Sequence, residues 1–205
     1  MKAMKQLMKH SGVLIMVLLF AIAPAFGQAA NEPQSTVDEA VASLPGFTSN
    51  PDFQKHIKDA KGIFIVPSLM KADGGSGVLL SRIADTRKWT YPAFYSMDSD
   101  VSSLPAGVDS AELVLLIMTD RAMSAMLNGK FQPGSAKSAD IQYFSRSKGE
   151  FVSLKLENAV IAVLNEWNKK YYGRGVLTAD ILIKNKVQVA GADRLRKLLA
   201  STLSR

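Results

Sequence analysis

Basic side chains are what this sequence offers for chemistry, and the chemistry they suit is capture of anions. Arg146 and Lys148 stand beside the turn-forming Gly149. Lys169, Lys170 and Arg174 surround the triplet Tyr171-Tyr172-Gly173. Arg194, Arg196 and Lys197 punctuate a terminal segment whose Leu195, Leu198, Leu199 and Leu203 recur at helical spacing. Each cluster alone also fits an ordinary solvated face.

Groups for bond-making chemistry are scarce. The chain has two histidines, His10 and His56, and no cysteine. A Ser-His-Asp triad needs a histidine held by a carboxylate, whereas His56 falls on the lysine-flanked side of a predicted helix and reads as a solvated side chain. No histidine or thiolate metal set is available, and no cofactor or catalytic residue is expected. The acid pairs Asp98/Asp100 and Asp38/Glu39 sit in a loop and at a predicted helix start; a catalytic pair needs surroundings that split its two pKa values. Gly74-Gly75-Ser76-Gly77 lacks the P-loop pattern and precedes a strand rather than a helix, so it reads as a backbone turn. Trp167 and Tyr171, four apart and in line with Leu164, read as core rather than as a headgroup-level anchor.

The elements that must position these residues alternate in type. Residues 28–34 are polar and expected to be loose. Thr36 with Glu39 reads as a capping box opening a helix over 36–44, stopped by Pro45-Gly46. Asn50-Pro51 opens a second helix, with Phe53, Ile57 and Ala60 on one face and Gly62 at its end. Strands are predicted at 63–66, closed by Pro67, at 78–83, at 89–97 with Pro92 marking an edge or bulge, and at 113–118. Thr119 or Asp120 caps a helix through Leu127, stopped by Asn128-Gly129. Segments 141–145 and 151–163 read as a hairpin around Lys148-Gly149, and helices follow near 164–172, 178–185 and 192–203. The fold class is α+β: a mostly antiparallel, curved sheet packed by N- and C-terminal helices.

The first residues read as an export signal. Lys2, Lys5 and Lys9 precede an apolar run over 13–23, and Ala25 and Gly27 lie where a signal peptidase reads small residues. The run, ended by Pro24, is short of the roughly 20 residues that span a bilayer. The expected organisation is a signal peptide over 1–27, a segment with a short helix over 28–50, and one domain over 51–205. Removing residues 1–27 removes three lysines and no acid, so the formal net charge falls from +7 to +4. That bias favours anionic partners such as phospholipid headgroups. It is too small to point to nucleic acid, which export also disfavours.

Several blocks of this sequence resemble the bacterial SYLF domain, a family with fungal actin-patch relatives. They are Ser145-Arg146-Ser147-Lys148-Gly149, Glu157 with Ile161, Asn168-Lys169-Lys170-Tyr171-Tyr172-Gly173, and Thr178-Ala179-Asp180-Ile181-Leu182. Residues 60–72, GGSGVLLSR through Arg82, Trp89 with 92–97, 113–119, 128–134 and 191–200 agree in order and spacing, so the likeness covers most of the chain. Two segments depart from the pattern: 98–110 lacks the usual Gly- and Gln-rich strand, and 132–140 is shorter than usual.

The resemblance implies lipid binding without catalysis. The expected protein is a periplasmic or secreted one that associates with phospholipid or a membrane surface, the expected contacts being the basic residues named above. Basic residues would attract headgroups while an apolar or aromatic edge inserts shallowly. The alternative is an envelope protein-interaction or scaffolding module without a lipid ligand; a hydrolase stands last, for want of a nucleophile motif. The mature chain is predicted to begin at Gln28 or within two or three residues of it. N-terminal sequencing of protein from an envelope fraction checks this, and a chain still starting at Met1 refutes it.

Overall fold

The structure, a computed structural model, describes residues 32–71, 73–84, 86–98 and 104–204. The expected signal peptide and Asp100 lie outside the described residues. In chain order the elements are α1 (Glu32–Phe47), α2 (Pro51–Ile57), β1 (Gly62–Met70), β2 (Gly75–Ser81), β3 (Ala93–Met97), β4 (Ser110–Ile117), α3 (Asp120–Leu127), β5 (Lys130–Phe131), β6 (Ile141–Ser147), β7 (Glu150–Phe151), β8 (Ile161–Val163), α4 (Asn165–Tyr172), α5 (Thr178–Leu182) and α6 (Asp193–Thr202). The strands form one curled antiparallel sheet in the order β5-β8-β3-β2-β1-β4-β6-β7. The fold class is therefore α+β, as the sequence predicts.

β1 is central. Residues 62–66 are buried throughout, between β2 on one side and β4 on the other. A strand with apolar side chains on both faces needs cover on both. α1 covers one face of β1 and β2, and α4 and α6 pack along α1. On the other face the sheet curls onto itself: the Phe64 and Tyr95 rings lie 6.0 Å apart, and the Tyr95 hydroxyl donates to Met126 O of α3 at 3.2 Å. The strap over 152–160 adds buried Leu154, Leu156 and Ala159 to the same continuous core.

α1 begins earlier and ends later than the sequence reading gave. Pro33, Thr36, Val37, Ala40, Val41, Leu44 and Phe47 are buried, a helical stripe that starts upstream of Thr36. Thr36 is inside the helix, its hydroxyl donating to Glu32 O at 2.8 Å, and Glu39 accepts from the Ser35 hydroxyl at 2.9 Å, so the two do not form a capping box. Residues 32–34 are helical rather than loose. Pro45 faces solvent in the last turns and does not stop the helix. The Thr48 hydroxyl donates to Pro45 O, the Ser49 hydroxyl to Gly46 O and Asn50 N to Phe47 O, so carbonyls at the α1 terminus find donors outside the helix. α2 starts as expected, with the Asn50 side-chain oxygen accepting from Asp52 N and Phe53 N, and it buries Phe53 and Ile57.

Three strand readings need correction. β1 runs past Pro67 to Met70, and its register against β4 shifts between Val66 and Leu69, a bulge that accommodates a residue without an N–H. The Gly-rich segment is mostly strand: Gly74 makes the turn at φ +68°, while Gly75 and Gly77 lie within β2. A Cβ on Gly77 would sit 2.4 Å from Ile65 O, and one on Gly75 2.4 Å from Ser68 O. These glycines permit close backbone approach where the sheet curls. The predicted hairpin partner over 151–163 pairs with β6 for two residues only. The chain then leaves that end of the sheet as the strap and rejoins as β8, beside β3 and β5 at the opposite end.

Gly77→Ala is expected to destabilise the fold by about 1–3 kcal/mol, because the clash is with backbone and cannot be relieved by a rotamer change. Urea denaturation of the chain from Gln28 checks this; an unchanged midpoint would contradict the close approach.

Candidate functional site

α4 is fixed to the sheet by the residues of its own motif. Asn168 is fully buried, and its side-chain oxygen accepts the Phe94 N–H at 2.9 Å. The Tyr172 hydroxyl donates to Pro92 O at 2.6 Å, and the Tyr171 ring lies 4.9 Å from the Phe94 ring. Trp167 is 6.1 Å from the same ring, so Tyr171 is a core residue and Trp167 packs half-buried against the core, the expected inward placement. Gly173, at φ +65°, ends the helix in the left-handed conformation that favours glycine. Burial pushes the Tyr171 and Tyr172 phenols above their ordinary range, so both stay neutral, and Tyr172 keeps the proton it donates to Pro92 O. With its motif side turned in, α4 turns Lys169 and Lys170 out.

The eight candidate basic residues divide by what their side chains touch. Arg146 is largely buried, its side chain 15 % exposed, with Nη1 3.1 Å from Glu112 Oε2. Nη2 donates to Gly149 O at 3.0 Å, and the guanidinium lies 5.6 Å from the Phe47 ring and 5.8 Å from the Phe151 ring. Gly46 makes room for it: a Cβ there would lie 1.3 Å from Arg146 Nη1. Arg196 donates through Nε to Trp89 O at 2.9 Å, pairs with Asp193 at 3.3 Å and lies 3.9 Å from the Tyr91 ring. These two arginines hold elements together. Lys148, Lys169, Lys170, Arg174, Arg194 and Lys197 are exposed. Lys148 sits at the tip of the β6–β7 hairpin, where φ of +49° and of +87° at Gly149 make the two-residue turn that the strand twist favours.

Their placement is uneven. α4 and α6 pack against α1, so Lys169, Lys170, Arg194 and Lys197 belong to one helical layer. Gln34 near the start of α1 donates to Gly191 O just before α6, whereas Gly46 near its end meets Arg146. At a rise of 1.5 Å per residue those two points on α1 are about 18 Å apart, so the hairpin tip lies well away from the α6 end.

Sequence reasoning missed a second polar cluster. The Asp140 carboxylate accepts from the Thr119 hydroxyl at 2.7 Å and pairs with Arg121. The Thr119 bond, ahead of the Arg121 charge, holds its carboxyl below the usual range, which makes it a poor general base at neutral pH. Thr119 also caps α3 through Ala122 N. Arg121 and Asp140 join Lys130, Phe131, Gln132 and others around an open cavity of about 470 Å³ beside the short 132–140 link. Nothing in the spacing of Thr119, Arg121 and Asp140 signals this meeting, because it depends on how the link returns to β6. His56 is half-buried, with Nδ1 2.7 Å from Asp52 O. Among the described residues no group of three His, Cys, Asp or Glu could hold a metal ion, and no helix is long and apolar enough to cross a membrane.

A family model described as "Ysc84: Las17-binding protein actin regulator" matches residues 102–202, from just before β4 through α6. The chain carries a Ysc84 (SYLF) domain. The Ysc84 match includes the β6–β7 hairpin, the Asn168–Tyr171–Tyr172 clamp and the exposed cations of α4 and α6. The chain is similar to SH3 domain-containing YSC84-like protein 1 of Rattus norvegicus, 27 % identical over 170 residues, with 71 % of this chain and 50 % of the relative covered. The Homo sapiens protein of that name is 25 % identical, with 71 % and 49 % covered. Protein YSC84 of Saccharomyces cerevisiae is 25 % identical over 174 residues, with 71 % and 36 % covered. The chain thus spans half or less of the length of these relatives. No solved structure matches it.

Within this Ysc84 domain Arg146 and Lys170 should respond differently to neutralisation. Arg146→Gln is expected to destabilise the fold by about 1.5–3 kcal/mol, since it removes the charge-assisted bond to Glu112 and the packing of the guanidinium against Phe47 and Phe151. Lys170→Gln should stay within about 0.5 kcal/mol of the parent. Thermal or urea unfolding of both variants checks the contrast; equal effects would refute it.

Proposed function

We propose that the domain is a non-enzymatic binder of anionic membrane surfaces that works in the periplasm or outside the cell. The observation that carries this reading is the outward set of cations on two helices of one layer, Lys169 and Lys170 of α4 with Arg194 and Lys197 of α6. None of the four has an ion-pair partner among the described residues. An unpaired ammonium or guanidinium near an anionic surface contributes about 1 kcal/mol, and the attraction fades within a Debye length of about 10 Å at 0.1 M salt. Four such groups give a useful but salt-sensitive attraction. Export rests on the sequence of residues 1–27, and the absence of catalysis rests on the histidine and cysteine counts.

A second reading has an observation of its own. Relatives carry names such as "LAS seventeen-binding protein 3", and the matching family is described as Las17-binding. A protein partner in place of a lipid surface would use the same exposed face as a scaffold contact.

Co-sedimentation with vesicles decides between them. The chain from Gln28 is suitable, because the buried core of the described residues runs from Val37 to Leu203. It should pellet with vesicles containing anionic phospholipid, less with neutral ones, and less as salt rises. Lys169→Glu/Lys170→Glu removes two favourable contacts, and at about 1 kcal/mol each should weaken binding roughly 30-fold or more. A parent that ignores both kinds of vesicle would defeat the lipid reading and leave the scaffold reading.

A further inference from the structure

Leu177 and Ile183 are 69 % and 64 % exposed, more than any other large apolar residue described. They bracket α5, one at each end. Single exposed leucines need no explanation. Here two belong to one short loop, and the loop is built to hold them out. Arg174 Nη2 donates to Lys186 O at 3.3 Å, tying residue 174 to residue 186. Lys186 N donates to Asp180 O at 2.8 Å, and Lys184 pairs with Asp180 at 3.0 Å. Ile181, Leu182 and Val187 are buried and anchor the loop from beneath. With its ends tied and its centre anchored, 174–186 is a compact loop around α5 that leaves Leu177 and Ile183 outward.

The charge around these two residues selects what can cover them. From residue 165 to residue 187 the chain has five basic residues, Lys169, Lys170, Arg174, Lys184 and Lys186, against two acidic ones, Glu166 and Asp180. Asp180 pairs with Lys184, which holds its carboxyl below the usual range and offsets that lysine in turn, leaving Lys169, Lys170, Arg174 and Lys186 against Glu166. Exposed apolar side chains in a segment with an excess of cations match the boundary of an anionic bilayer, where aliphatic groups enter beneath the headgroups while ammonium groups stay at phosphate level.

We propose that the 174–186 loop is the membrane-inserting element of this domain, with Leu177 and Ile183 passing below the headgroups of an anionic bilayer and Lys186 and Arg174 at phosphate level. This rests on the membrane-binding reading and adds the depth and the residues of contact, which charge alone does not provide.

The absence of cysteine makes the test direct, since one introduced cysteine can be labelled without background. Leu177→Cys, Ile183→Cys and, as control, Ser138→Cys on the exposed 132–140 link carry an environment-sensitive fluorophore on the chain from Gln28. Vesicles with and without anionic phospholipid are the probe. Blue-shifted, brighter emission at 177 and 183 on anionic vesicles, with 138 silent, is the expected result. Leu177→Ser/Ile183→Ser should weaken pelleting about tenfold or more, because binding scales with buried apolar area, and should leave the salt dependence as in the parent. Vesicles bound with 177 and 183 silent would overturn the insertion and leave the basic-face reading standing. An equal shift at 138, or a shift that follows protein concentration without vesicles, would also overturn it, the latter assigning the loop to a second copy of the chain. No pelleting of unlabelled protein with any vesicle would defeat both readings.

Discussion

The central constraint is the burial of β1 on both faces. Ile63, Phe64, Ile65 and Val66 are inaccessible to solvent, and each such side chain contributes on the order of 1.5–3 kcal/mol when fully covered. One cover must be a helix long enough to lie along two strands, which is why α1 extends from Glu32 to Phe47. The other is the sheet itself, which has to curl. Gly75 and Gly77 allow the curl, and the Tyr95 hydroxyl fastens it to α3. α4 and α6 then close the flanks of α1, and their outer faces become the helical surface of the molecule.

That order of construction separates two roles that lie side by side in the chain. In Asn168-Lys169-Lys170-Tyr171-Tyr172-Gly173, the asparagine, the tyrosines and the glycine fix α4 to β3, while the two lysines between them face away. In Ser145-Arg146-Ser147-Lys148-Gly149 the arginine is enclosed between Phe47, Phe151 and Glu112, and only Lys148 is outward at the tip. Residues that mark the family by sequence are therefore largely packing residues here. The groups open to a partner are the ones interleaved with them.

Much of this was legible in the sequence, for physical reasons that differ by element. Asn50-Pro51 and Thr119 announce helix starts by local hydrogen bonding, and both caps form. The apolar run at 113–118 is too short for a buried helix and is flanked by polar residues, so it reads as a buried strand, and 113–117 are buried within β4. Thr36 and Glu39 misled because a capping-box spacing also occurs inside a helix, where each finds a partner one turn upstream. The glycine run misled because glycine marks both turns and strand positions of close approach, and only the neighbouring backbone distinguishes them. Arg146 and Arg196 could not be told from free cations, since their partners Glu112, Trp89 and Tyr91 are distant in sequence. The exposure of Leu177 and Ile183 is not legible in the sequence, which shows hydrophobicity but not which apolar residues the core leaves uncovered.

The route of the strap has an effect on how copies of this molecule meet. An open sheet presents unpaired N–H and C=O groups along its outermost strands, and these template pairing with a neighbouring chain. Here the outermost strands, β5 and β7, are Lys130–Phe131 and Glu150–Phe151, two residues each. Where β6 runs on beyond β7, the strap occupies its edge: Val152 N donates to Ser145 O, the Ser145 hydroxyl to Val152 O and the Tyr143 hydroxyl to Leu154 O. The same segment that fills the curl thus caps the ladder, and edge-to-edge strand addition, the first step toward aggregation at high local concentration, finds almost no template.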